Sequence, residues 1–270
     1  GRADYSRDFA LPFAAQCFAE YAGVPFETAL HVRDIGVRYS FAIQDMDDEA
    51  IAAASAELYG IAEEIYEQKK AEPSASPWDL AVRLHQAARD PDNAITDKTA
   101  IATIRQMIVA GMGAPQAVLG SAVVHLARDA GLQQQLRQDP ELLPAAIEEL
   151  LRLYAPYRVF ARTATREVSL RGRTVAEGEA VALIFPSANR DEGRFEDPDS
   201  FRLDRKPNNH LAFGRGAHRC PAAAMGRFEL LAALQALLAG TTEFRLDGEV
   251  EMMNWLEFGP KSAPLRLVGK

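Results

Sequence analysis

The segment from Thr96 to Gly131 constrains the fold more than any other stretch of this chain. Thr96 and Asp97 open a helix well, and Gly131 is a natural stop. A helix of that length runs about 50 Å. Its middle, Met107 to Ala114, is apolar nearly all the way round, so it belongs in the interior with other elements wrapped around it. Pro115 lacks a backbone N–H and clashes with the preceding turn, so a kink is expected beside Gly111 and Gly113. Such a kink serves either packing alone or the approach of a ligand to a locally opened helix.

The remaining segments supply the wrapping. Phe13, Cys17, Phe18 and Tyr21 recur at three- and four-residue steps and predict a helix over 13–21. Asp47 and Asp48 open a second helix that carries Ile51, Ala54, Leu58, Ile61 and Ile65 on one face. Its acidic start and its Lys69–Lys70 end suit the helix dipole. Glu72 to Pro77 reads as a connector, and Trp78 to Ala88 as a short helix. A further helix follows Pro144, with Ile147, Leu150, Leu151 and Tyr154 on its apolar face, and it ends before Pro156.

The pattern then changes. Arg166–Leu170 and Ala180–Phe185 read as strands joined through Gly172 and the Glu177–Gly178 turn. Phe185 to Ala217 shows no lasting period, and an irregular stretch of that length inside a domain is usually functional. An amphipathic helix over Pro221–Leu238 and a strand over Pro264–Val268 close the chain. The expected fold is mainly α with a small β-sheet region (α+β), in one domain over residues 1–270.

Composition excludes several classes of function. Thirty basic against 38 acidic residues give a net charge of −8, the wrong balance for a general nucleic-acid binder. No apolar stretch approaches the roughly 20 residues of a membrane span, and nothing resembles a cleavable signal. The expectation is a cytoplasmic protein without nucleic-acid or membrane partners. Cys17 and Cys220, the two cysteines, exclude a disulfide framework.

The sharpest chemistry lies in Phe213-Gly-Arg-Gly-Ala-His-Arg-Cys220-Pro221. Gly214 and Gly216 let the backbone turn tightly and come close to a flat ligand. Cys220 sits just before a helix, with Pro221 suited to its first position, and a helix N-terminus favours the thiolate. Zinc is disfavoured, because a structural site takes four Cys or His ligands and only Cys17 remains. An inert buried cysteine, a nucleophile served by His85, His125 or His210, and an axial haem ligand stay open on the residues alone.

Further segments accompany that loop in order. Glu149-Leu-Leu-Arg152 follows Pro144. Ala188-Asn-Arg-Asp191, Phe195-Glu-Asp-Pro198 and Phe201-Arg-Leu-Asp-Arg205 come after the strands, and His210-Leu-Ala-Phe213 leads into the loop. In this order and spacing the chain resembles the cytochrome P-450 family, the haem-thiolate monooxygenases, in its bacterial soluble class. The resemblance implies haem b (iron protoporphyrin IX) as cofactor, with Cys220 as the thiolate ligand of its iron. It places Phe213 against that thiolate, Gly214 and Gly216 where backbone amides approach the sulfur, and His218 and Arg162 as donors to the haem propionates. Glu149, Arg152 and Arg205 match a buried charge triad. A small apolar organic substrate and an electron donor of the ferredoxin or flavodoxin type are implied, the donor docking near Arg215, Arg219 and Arg227.

Two departures from the family pattern stand out. In the long helix Ala110 and Gly111 match the positions that leave room for oxygen, but Gly113 and Ala114 replace an acid and an alcohol that normally help deliver protons. Gln116 is a poor acid in their place. Met107, Val109 and Met112 are candidates for the distal pocket or for core packing. The chain is also expected to lack the family's N-terminal strands and early helices, as a fragment or a short form. Alongside the monooxygenase reading stand two others, a degenerate non-catalytic member and a peroxide-using variant.

Overall fold

The computed structural model describes residues 1–73, 76, 78–254 and 256–269. Of the predicted connector Glu72–Pro77, residues 74, 75 and 77 lie outside them. The chain divides into two compact units, Arg7–Gln116 and Gly1–Ser6 with Ala117–Lys270.

The first unit is helical. It holds α1 (Leu11–Ala22), α2 (Phe26–Asp45), α3 (Asp48–Ala71), α4 (Leu80–Arg89) and the first two-thirds of α5 (Asp97–Ala127). Side-chain caps fix the starts of α3 and α4. Asp47 accepts from the amide of Ala50 at 3.0 Å, and Asp79 from that of Val82 at 3.2 Å, which satisfies orphan donors of the first turn. Gly23 ends α1 at φ +65°, and a Cβ there would strike the buried Lys69–Asp79 ion pair. Phe18, Leu58, Ile65, Tyr66, Ile104 and Ile108 form the core with Met112. Helix α2 had no sequence prediction. Its buried positions are Ala29, Val32, Ile35 and Ala42, two of them alanines, too weak an apolar stripe to read as a period.

The second unit contains α6 (Ala130–Gln138), α7 (Leu143–Leu153), the short α8 (Phe185–Ala188) and α9 (Ala223–Gly240). A three-stranded antiparallel sheet joins β1 (Arg2–Asp4), β9 (Pro264–Gly269) and β6 (Thr241–Leu246), with β9 in the middle. Gln133 on α6 ties helix to sheet, its amide donating to the carbonyls of Leu126 and Phe244 at 2.8 Å each. Two-stranded ribbons pair β2 (Phe160–Thr163) with β5 (Ala180–Leu183), β3 (Val168–Leu170) with β4 (Arg173–Val175), and β7 (Glu251–Met252) with β8 (Pro260–Ser262).

Several expectations need correction. The long helix stops at Ala127, where Asp129 caps α6 by accepting from Leu132 at 2.8 Å, so Gly131 lies inside the next helix. Helix α5 runs unbroken through Pro115, which removes a single rung of the ladder. The predicted strands do not pair with each other. β3 makes a hairpin with β4 through Gly172 at φ +80°, while β5 pairs with β2. Helix α9 starts at Ala223, because Ala222 at ψ 17° is not yet helical, and Pro221 sits in the turn before it. Finally, α5 and α9 are each long and apolar enough to cross a bilayer by length and composition. A count of unbroken apolar residues passes over the glycines, serines and glutamines that such a span tolerates. In α5, 61% of that apolar window is buried inside the protein.

Candidate functional site: the cysteine loop and its frame

Glu149 and Arg152 lie one turn apart on α7, both with fully buried side chains. Arg152 uses all five of its guanidinium donors. Two go to the Glu149 carboxylate at 2.7 and 2.8 Å, and three to the carbonyls of Asn189, Pro198 and Ser200 within 3.0 Å. Arg205 adds bonds to Glu149 at 2.9 and 3.1 Å, and Asn208 donates to it at 3.1 Å. Burial alone would raise the pKa of Glu149. The bonds from Arg152 and Arg205 outweigh it and hold the carboxyl below its usual range. This network anchors an irregular stretch that has few backbone ladder bonds of its own, and Asn189 carries it onward. Its side chain donates to the Arg152 carbonyl at 3.1 Å and accepts from the Leu211 amide at 2.7 Å.

From Leu211 the chain enters the cysteine loop. The amide of Gly214 donates to the carbonyl of Leu211 at 2.9 Å, and that of Cys220 to the carbonyl of Phe213 at 2.8 Å. Gly214 at φ +65° and Gly216 at φ +70° both adopt the left-handed conformation, which costs other residues energy. A Cβ on Gly214 would also lie 3.2 Å from the carbonyl oxygen of His218. The loop leaves Cys220 half-buried with a free thiol. The Phe213 ring rests against α9 at Gly226, where an added Cβ would make ordinary contact at 3.5 Å.

A carboxylate that the sequence reading missed organises the outside of this loop. Glu148 binds Arg227 at 2.5 and 2.8 Å and His210 at 3.1 Å. Burial pushes its pKa up, but the bonds from Arg227 and His210 dominate and bring it down to about 2. Arg227 in turn stacks on Phe213, 4.6 Å from the ring centre. A cavity of about 350 Å³ opens here, lined by Glu148, Asn208, His210, Phe213, Arg215 and Arg219 among others. The adjacency of Glu148 to Glu149, with Arg227 seven residues after Cys220, was the only hint in the sequence.

The other sequence-derived candidates are placed as follows. Arg162, on β2, is exposed and among the described residues donates only to the neighbouring carbonyl of Ala161. His218 is exposed, with no side-chain partner among the described residues. On α5, Gly111 is buried while Ala110, Gly113 and Ala114 are half-buried. The space a side chain would take at Gly111 is filled by the Tyr21 hydroxyl, 2.3 Å from an added Cβ. Met112 belongs to the core, with Val109 packed against it. His85 faces Tyr66, His125 bonds Tyr154 at 2.8 Å, and His210 is held by Glu148. Among the described residues none of the three bonds Cys220, and no group of three or more His, Cys, Asp or Glu is arranged to hold a metal ion.

Residues 40–254 match the profile of the cytochrome P450 family. Cytochrome P450 109 of Bacillus spizizenii is 31% identical, the match covering 99% of this chain and 68% of that protein. Nocardicin C N-oxygenase of Nocardia uniformis is 33% identical over 98% of this chain and 66% of its own length. Among solved structures, CYP109E1 from Bacillus megaterium in complex with testosterone superposes with a TM-score of 0.86 at 27% identity, covering 98% of this chain and 72% of that one. CYP108D1 from Novosphingobium aromaticivorans gives 0.88 at 27% identity, covering 100% and 64%. The chain thus spans about two-thirds of the length of the curated relatives it matches.

Proposed function

Because the chain belongs to the cytochrome P450 family, we propose that residues 1–270 act as one haem-thiolate domain of an enzyme that oxidises a small organic molecule. The reaction is a monooxygenation, in which one oxygen atom of O2 enters the substrate. Two relatives, nocardicin C N-oxygenase and mycinamicin IV hydroxylase/epoxidase, support that class. The observation that carries the reading is the Cys220 loop. It presents a free, half-buried thiol behind two left-handed glycines, and the buried Glu149–Arg152–Arg205 network fixes the segment that leads into it.

These residues fit haem b, the family's cofactor. Cys220 would hold the iron, and Arg162 and His218, exposed cationic or neutral donors without ion-pair partners among the described residues, would hold the propionates. Haem with a thiolate ligand supplies O–O cleavage chemistry. The chain's own task is to position the sulfur and to hold protons near the reacting oxygen. Gly113 and Ala114 have no proton to give, and that favours a second reading in which hydrogen peroxide replaces O2 and its reductant.

For the O2 reaction, an electron donor of the ferredoxin or flavodoxin type docks at the surface around Arg215 and Arg219. Both are exposed and form no ion pair among the described residues. The third arginine of the sequence reading, Arg227, is already neutralised by Glu148. The cytoplasm, where such donors work, is the proposed location.

The test supplies haem to the full chain, reduces it and adds carbon monoxide. The red-shifted Soret band of thiolate-ligated haem is expected, and a colourless protein refutes the reading. Product formation is then measured with O2 and a reductase system and, separately, with hydrogen peroxide. Product with peroxide alone selects the second reading, and product only with O2 and electrons selects the first.

A further inference from the structure

The turn after α7 and the segment before β8 meet away from the Glu149–Arg152–Arg205 network. Tyr157 and Glu257 form an isolated antiparallel bridge. The amide of Arg158 donates to the carbonyl of Leu256 at 2.9 Å, and that of Phe258 to the carbonyl of Pro156 at 2.6 Å. Tyr157 and Glu257 are therefore a non-hydrogen-bonded pair, the type whose side chains lie closest together on one face. Their neighbours Arg158 and Phe258 take the opposite face, where the guanidinium stacks 4.6 Å from the Phe258 ring centre and donates to the Met253 carbonyl at 2.9 Å. The nearest cation in the sequence is thus spent elsewhere.

Glu257 is left half-buried, and no side chain among the described residues pairs with it. Burial pushes its pKa up, and only its own backbone amide works against that rise. The Tyr157 phenol is held protonated, first by burial and then by the charges of Glu257 and Cys220. Beside this pair runs an aromatic wall. The Tyr157 and Phe160 rings are 5.0 Å apart, and the Phe160 and Phe185 rings 5.9 Å. Phe160 is 36% exposed and the adjacent Ile184 55%.

Resting on the haem-thiolate reading of Cys220, we propose that Glu257 and Tyr157 are specificity residues that select an apolar substrate carrying a cationic, ammonium-type head. A carboxylate lacking a counter-ion attracts a cation. The Tyr157 ring beside it adds its own attraction for positive charge, and the aromatic wall takes the apolar body. An anionic substrate would be repelled by Glu257. A wholly apolar one would leave the carboxyl desolvated and unpaired.

The experiment titrates the haem-loaded full chain by calorimetry with two probes of equal chain length, decyltrimethylammonium and decanoate. The quaternary ammonium has no lone pair and does not ligate iron. We expect the ammonium to bind roughly tenfold or more tighter than the carboxylate, the scale of one partly desolvated charge pair. Glu257→Gln should bring the two probes within about twofold of each other, whereas Glu257→Asp, which keeps the charge, should retain the preference. Tyr157→Phe should weaken the ammonium by a few-fold only, about the size of a lost hydroxyl. Equal binding of both probes to the unaltered protein, or a preference that survives Glu257→Gln, overturns the proposal. The carbon monoxide band is recorded on the same samples. Its presence beside a missing preference sinks this inference alone, and its absence beside a Glu257-dependent preference sinks the haem reading and leaves the cation site standing.

Discussion

The charge network behind α7 and the cysteine loop are joined through Asn189 and Leu211, yet they are built on opposite rules. In the first, every donor of Arg152 has an acceptor, and Glu149 is held by two arginines and an asparagine. In the second, a thiol, an exposed histidine and two exposed arginines have no ion-pair partner among the described residues. A region whose polar groups satisfy one another is a frame. A region whose donors are positioned but unmatched is arranged for something that arrives from outside. On the proposed reading, the first is the frame and the second is where haem and the electron donor bind.

The largest effect that can break this contrast is Arg152→Ala. It removes five donors from a fully buried site, leaves the carbonyls of Asn189, Pro198 and Ser200 without them and leaves Glu149 to Arg205 and Asn208, at a cost of roughly 3–5 kcal/mol. Urea unfolding should show that loss. A midpoint that stays near the unaltered protein's would mean the network is not a frame at all.

A second buried glutamate sharpens the contrast. Glu229 on α9 is 5% exposed, and both carboxylate oxygens are buried without a hydrogen-bond partner in the described structure. Burial raises its pKa to about 7. The folded state therefore holds a proton that the unfolded state releases near its ordinary value of 4.5. The cost of keeping Glu229 folded is absent below pH 4.5 and grows as pH rises through about 7. Glu229→Gln should accordingly stabilise the protein above neutrality, by about 2–3 kcal/mol at full effect, and do nothing in acid. Equal stabilisation at pH 4 and pH 8 would contradict that account. Glu149 behaves oppositely. Its lowered pKa contributes stability above its unfolded value that disappears as pH falls through the folded one.

Within the loop, Gly214→Ala and Gly216→Ala test the close approach separately from the backbone conformation. Both force a left-handed alanine, at about 1–2 kcal/mol. Only position 214 has the carbonyl of His218 within 3.2 Å of the new Cβ, whereas 216 faces open space. Gly214→Ala should therefore be the more damaging of the two in thermal unfolding. The reverse order would show that the turn is not closed on His218.

Much of this contrast could be read before any coordinates, for identifiable reasons. Helices α1, α3 and α7 carry bulky residues at helical spacing, with Asp47 or prolines marking their starts, and they fall close to their predicted bounds. The charge triad and the glycine–cysteine loop are local patterns with fixed offsets, so the structure finds Glu149, Arg152 and Arg205 together as the resemblance implied. Helix α2 was illegible because alanines bury a surface without announcing a period. The pairing of β2 with β5 joins residues separated by a whole hairpin, and β2 is exposed along its length, so no alternation marks it. Glu148 and the Tyr157–Glu257 bridge stayed hidden because their meaning lies in partners 62 to 100 residues away.

The smallest expected effect on stability belongs to the most informative residue. Cys220 bonds its neighbours through the backbone amide, so Cys220→Ser should leave unfolding within about 0.5 kcal/mol of the unaltered protein. The decisive measurement is therefore spectroscopic: the reduced, carbon monoxide-treated spectrum of haem-supplied protein with and without Cys220→Ser. The red-shifted thiolate band should appear in the first and vanish from the second while the far-ultraviolet circular dichroism stays the same. A band that persists in the serine variant, or never forms in the unaltered chain, would contradict Cys220 as the iron ligand.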